Sequence, residues 1–171
     1  MSANSLQVKI PYFIADNNGK YKATRALTEK QIMSAAKALI KKKFTKGVAI
    51  TSPNATVAYL RAQYVNYEYE VFICIFLDNQ HRVIKTVEMF RGTIDSASVY
   101  PREVVKKALE LNAAAVIFSH NHPSGIHTPS QADKDITQKL KQALNLVDIR
   151  TLDHFIIGGA EYYSFAERGL I

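Results

Sequence analysis

The chain has 171 residues, 47% hydrophobic and 22% charged, a balance that suits one globular domain and excludes chain-wide disorder. No stretch approaches ~18 uninterrupted apolar residues, and Met1 to Gln7 carries neither region of an export signal, so a soluble cytoplasmic protein without a membrane span is expected. One cysteine, Cys74, excludes an internal disulfide and any multi-cysteine zinc site, and the net charge of +7 is concentrated in residues 1–47, where ten Lys or Arg face two acids.

Residues 1–26 read as an extended, partly strand-like arm. From Thr28 to Lys43 the apolar residues Ile32, Ala35, Ala36, Leu39 and Ile40 fall at helical spacing, with Thr28 as N-cap and Gly47 as stop. The basic run Lys41-Lys42-Lys43 with Lys46 has two readings: a contact for nucleic acid or another polyanion, or a solvated helix end suited to its dipole. Ser52-Pro53 predicts an N-cap with proline at the first helical position, opening a helix to about Val65.

Glu70 to Leu77 is β-branched, aromatic and nearly continuous in apolar character, which predicts a strand buried on both faces. A turn at Asp78-Asn79-Gln80 leads to a second strand, Arg82 to Phe90. Pro101 to Leu111 reads as a helix, Ala114 to Ser119 as another buried strand, and Asn121 to Pro129 as a polar loop. A helix from Ser130 to about Asn145 has Ile136, Leu140 and Leu144 on one face. Ile149 to Ile157 reads as a strand, Gly158-Gly159 as a turn, and Tyr162-Tyr163 as a short last strand. Alternating strands and helices predict an α/β (α+β) fold, a central mixed sheet flanked by helices.

The chemistry concentrates in residues 119–133, directly after a buried strand, where sites tend to form at the rim of a sheet. His120 and His122 are two apart, so in extended chain both imidazoles point the same way. Asp133 falls in the first turn of the next helix. Two histidines and a carboxylate leave a fourth tetrahedral position for water, the pattern of catalytic zinc. Each piece has an ordinary explanation as well. Ser130 with Asp133 fits a capping box, and His-Asn-His-Pro fits a polar turn. The letters His-Asn-His lack the spread of an HNH nuclease, and no Gly-x-Ser-x-Gly elbow supports a serine nucleophile.

His-x-His-Pro, six residues, Ser, two residues and Asp resembles the JAMM signature of JAB/MPN metalloproteases. Glu70-Val71-Phe72, Leu77-Asp78, Gly92-Thr93, Pro101-Arg102-Glu103, His120 to Gly125, Pro129-Ser130 with Asp133, Leu152-Asp153-His154 and Ser164 to Gly169 occur in order and are similar to the RadC family over about residues 53–171. The helix-hairpin-helix region of full-length RadC proteins is not recognisable in residues 1–50, so the chain resembles the short RadC-like proteins. The resemblance implies a single JAB/MPN (cytidine deaminase-like) domain over 51–171, preceded by a basic arm and helix over 1–50. It implies Zn2+ held by His120, His122 and Asp133, with Glu70 as general base and Ser130 bonding the reacting oxygen. Glu68 competes with Glu70, and either glutamate also reads as a charged strand start.

His154 and Asp153 read either as residues that orient a ligand or as satisfied core groups. His127 and His81 read as surface residues, and Arg102 as a carboxylate binder or half of an ion pair. Cys74 reads as inert packing. The expected function is hydrolysis of an amide or isopeptide bond in a peptide or protein substrate. The alternatives are a DNA-associated repair or recombination accessory module, contacting nucleic acid through the basic N-terminal segment with a structural or vestigial metal site, and a scaffold.

Overall fold

The computed structural model describes residues 10–16, 18, 20–43, 47, 49–50, 52–65, 67–92 and 99–171. The chain forms two compact units, Met1–Phe44 and Thr45–Ile171. In the first, β1 (Phe13–Ala15) and β2 (Tyr21–Ala23) make an antiparallel hairpin, and α1 spans Glu29–Lys43. Thr28 and Gln31 cap α1 reciprocally: the Gln31 amide donates to the Thr28 hydroxyl and the Thr28 amide to Gln31 Oε1. Residues 1–9 of the expected arm, and the side chains of Lys41 to Lys43 and Lys46, lie outside the described residues.

In the second unit, α2 (Pro53–Tyr64) starts as expected, with the Ser52 side chain accepting from the Ala55 amide and proline in the first turn. Then follow β3 (Val71–Leu77), β4 (Val83–Arg91), α3 (Pro101–Glu110), β5 (Ala115–Asn121), α4 (Gln131–Asn145), β6 (Arg150–Gly158) and β7 (Glu161–Ser164). The sheet order is β4-β3-β5-β6-β7. Only the β5–β6 pair is parallel, joined by the crossover helix α4. All seven residues of the interior strand β3 are buried, as its apolar run predicts.

One face of the sheet carries the main core. Phe72, Cys74 and Phe76 of β3 and Val116 and Phe118 of β5 pack with Val104 and Ala108 of α3 and Leu140 and Leu144 of α4. Period two along the strands and i, i+4 along the helices bring these residues together. Asn121 and Ile157 alternate with His120 and Ile156, and so face away from that core. They line a cleft with Tyr64 of α2, a helix that packs along β6.

Two expectations are corrected here. The strand expected over Ala114 to Ser119 continues through His120 and Asn121, which pair with Ile156 and Ile157 of β6. Their polarity gives the look of a loop, but both are buried with their hydrogen-bonding groups met. Gly158, read as a turn, closes β6, and the turn falls at Gly159, whose φ is +56°.

A candidate metal centre at the end of strand 5

His120 is the penultimate residue of β5, and His122 follows the strand. The His122 amide still donates to the Ile157 carbonyl at 2.9 Å, so the ladder with β6 reaches one residue past β5. This local extension keeps both imidazoles on one side. Their Nε2 atoms are 3.0 Å apart. Asp133 Oδ1 lies 3.2 Å from His120 Nε2, and Asp133 Oδ2 lies 3.7 Å from His122 Nε2. All three residues offer a ligand atom within 4.8 Å of the others. His120 is buried, and His122 and Asp133 are half-buried.

Asp133 serves the helix as well. The Ser130 amide and hydroxyl donate to its Oδ2 at 2.7 and 2.6 Å, and its own amide donates to Ser130 Oγ at 3.1 Å. The capping box and the cluster therefore coexist: Oδ2 closes the first turn of α4 while Oδ1 faces His120. Burial alone would raise the Asp133 carboxyl. The hydrogen bond and charge of His120, with the Ser130 bonds, outweigh it and hold the group well below the usual carboxylate range.

The donor set fits a cation. His122 Nδ1 lies 2.6 Å from the Ile126 carbonyl, which only accepts, so Nδ1 carries the proton and Nε2 keeps its lone pair. That lone pair and the Asp133 carboxylate meet the His120 ring at a single point. Either a proton or a metal ion there relieves the crowding of acceptors. Two imidazole nitrogens and a carboxylate oxygen are a ligand set zinc accepts, with one position left over.

The structure brings Ser130 to this cluster, but not the Glu70 carboxylate. Glu70 is half-buried just before β3, and its carbonyl accepts from the Gly92 amide at 2.8 Å. The β3–β5 ladder ends at Phe72↔His120, two residues short of both Glu70 and His122. Glu68 is exposed. Sequence reasoning missed Asn121, whose carboxamide accepts from the Val71 amide at 2.8 Å and donates to the Tyr69 carbonyl at 3.0 Å, gripping the backbone on both sides of Glu70. It also missed Gly158. A Cβ there would stand 2.6–2.8 Å from backbone atoms of Gly125, Ile126 and His127. Only glycine lets that loop approach and bring the Ile126 carbonyl to His122.

His154 lies in the core, fully buried, against His120 Nδ1 at 2.9 Å and Thr137 Oγ1 at 2.6 Å. Burial pushes its imidazole well below the usual histidine range. Phe165 stacks on it at 4.9 Å. Asp153 points the other way, accepting from the amides of His154 and Ala166 and from the Ser164 hydroxyl, and so holds the turn that carries Phe165. His81 and His127 are half-buried rather than fully exposed. Arg102 lies 3.9 Å from Glu103, and Cys74 is a buried free thiol whose pKa burial raises. Beside His122 the cleft has a volume of about 350 Å³, with Arg61, Tyr64 and Tyr67 on its walls.

A family model for the RadC-like JAB domain matches residues 50–170. The chain belongs to the RadC family. A UPF0758 protein of Vibrio cholerae serotype O1 is 51% identical over 150 residues, which is 88% of this chain and 94% of that protein. A UPF0758 protein of Nitrosococcus oceani is 61% identical over 126 residues, 74% of this chain and 56% of that protein. One from Vibrio vulnificus is 60% identical over the same length and share. The chain thus spans nearly all of the first RadC-family relative and little more than half of the other two. Among the described residues, no helix is long and apolar enough to cross a membrane.

Proposed function

We propose that this RadC-family domain is a zinc-dependent hydrolase of the JAMM metallopeptidase type that cleaves an amide or isopeptide bond. The convergence of His120, His122 and Asp133 at the end of β5 carries this reading. These three residues would hold the ion. Bound zinc would supply a Lewis acid and bring the pKa of water to about 7.

Glu70, two residues before Phe72, whose partner in the β3–β5 ladder is His120, takes the proton of the attacking water and hands it to the leaving amine. The bond between carbonyl carbon and nitrogen breaks as the new carbon–oxygen bond forms, giving a carboxylate and an amine. The Ser130 hydroxyl, whose proton goes to Asp133 Oδ2 in this structure, turns to donate to the oxygen on which charge develops. The open cleft at His122 offers room for the chain flanking the cleaved bond.

Elemental analysis of the purified protein, with a chelator-controlled screen of peptides and isopeptides, tests the proposal. Cleavage that stops with the chelator is expected. Glu70→Gln should lower turnover by about 100-fold or more while metal content holds. Unchanged turnover with full metal content removes Glu70 from the chemistry. A metal-loaded protein that cuts nothing in the screen argues against a hydrolase.

The charge excess of residues 1–47 favours a second reading, a DNA-associated accessory module. It requires salt-sensitive DNA binding that persists in His122→Ala.

A further inference from the structure

We infer that the cleft beside His122 is a subsite for the last residue of a peptide, with an apolar side chain against its walls and the terminal carboxylate on Arg61. The inference deepens the proposed hydrolase reading and rests on it for the bond that is cut, but not for the recognition.

The cleft has a volume of about 350 Å³, within the roughly 300–1,000 Å³ of small-ligand pockets. Tyr64, Val65, Tyr67, Pro123 and Ile157 give it walls of ring and hydrocarbon. Tyr64 and Tyr67 meet edge to face, their centroids 6.4 Å apart, which makes a firm corner for another apolar group. None of the lining residues is acidic, and Arg61 brings a guanidinium to the wall.

Arg61 lies in the last turn of α2 and is exposed. It donates to the Ala160 carbonyl in the turn after β6, which holds the guanidinium at the cleft. That single acceptor uses a fraction of its donors and leaves its charge unanswered. Among the described residues, Arg61 is in no ion pair. Glu88, which accepts from Tyr67 at 2.6 Å, is paired with Arg91 instead. An arginine fork matches a carboxylate in two parallel bonds, and low-dielectric walls strengthen them.

Apolar walls and an unanswered cation thus stand side by side. An internal Asp or Glu offers the charge on a short stem, and an internal apolar residue offers no charge. The last residue of a peptide offers both. His122 lines the same cleft, so the bond before that residue lies toward the candidate metal centre. There the hydroxyl of water joins the carbonyl carbon, the C–N bond breaks, and the proton passes to the amine of the departing amino acid. The ordinary reading of Arg61 is a cation suited to a helix C-terminus. That reading predicts no discrimination between a carboxylate and its amide.

Isothermal titration calorimetry on the whole chain, supplied with zinc, compares N-acetyl-alanyl-phenylalanine with its C-terminal amide. The acid should bind about 10-fold more tightly or better, as a charge-assisted contact implies. Arg61→Gln keeps a donor for the Ala160 carbonyl but loses the charge, and should erase the difference. Arg61→Lys should keep part of it. By mass spectrometry, N-acetyl peptides that end in phenylalanine or leucine should lose that one residue, and their amidated forms should be cut about 10-fold more slowly or less.

Equal binding of acid and amide by the wild type overturns the subsite, whether or not any variant folds. So does a preference that survives Arg61→Gln, the sign of a carboxylate captured by zinc. Cleavage with no preference for a free terminus also overturns it, while leaving the hydrolase reading intact. Failure of the hydrolase reading looks different, with the acid preferred through Arg61 and no peptide shortened.

Discussion

At the scale of single residues, protons and a metal ion compete for one point in space. Imidazole and carboxylate donors give up protons when they take a metal ion, so metal affinity should fall on acidification. Chelator competition at several pH values checks this, and affinity that rises on acidification contradicts it. Asp133 adds a stability effect of known sign. Its folded-state pKa is depressed. Its contribution is therefore complete above the ordinary carboxylate value near 3.9 and is lost as pH falls below that toward the folded value. Asp153 works in the opposite direction, because burial raises it and the folded state holds its proton more tightly. Acid unfolding of Asp133→Asn should show a smaller low-pH loss than the wild type, since the lowered Glu88 carboxyl still contributes. Sequence spacing exposed His120, His122 and Asp133, since period two along a strand and a helix-start acid are local patterns. Thr137 was invisible, because its partner His154 lies 17 residues away and nothing local marks it.

At the scale of elements, the site depends on how strands end. Asn121 replaces a ladder of backbone bonds with one carboxamide that holds Tyr69 and Val71. Asn121→Ala should cost about 1–3 kcal/mol by leaving the buried Val71 amide unmet, measured by denaturant unfolding. It should also lower turnover through displaced Glu70 while zinc content holds. Gly158 fixes the other side. Gly158→Ala must push the backbone of residues 125–127 away from β6, freeing His122 from the Ile126 carbonyl. Zinc affinity should fall with no ligand removed, and unaltered affinity would show that the loop yields freely. The helix starts at Ser52-Pro53 and Ser130 were legible because capping is written within four residues. The extent of β5 was not, because the partners of His120 and Asn121 come from other elements: Val71 of β3, His154 of β6 and Asp133 of α4.

At the scale of the whole molecule, the chain divides at residues 44 and 45, and the family match starts at residue 50. The candidate ligands and every partner described for them belong to the second unit. Removing residues 1–44 should therefore leave zinc stoichiometry unchanged while abolishing any salt-sensitive DNA binding. Loss of zinc from that shortened protein would assign the first unit a part in the centre. The single parallel pair, β5 with β6, sets the start of α4 against the end of β5, as in other crossover units whose sites lie beyond the strand ends.

One carboxylate at this junction has a consequence for dynamics. Asp133 spends one oxygen on the opening turn of α4 and presents the other to His120. Occupancy of the centre and fraying of that turn are then a single equilibrium seen from two ends. Deuterium uptake at the amides of residues 131–135 should slow when zinc is added and quicken when it is stripped, making the helix start a built-in gauge of the loading state.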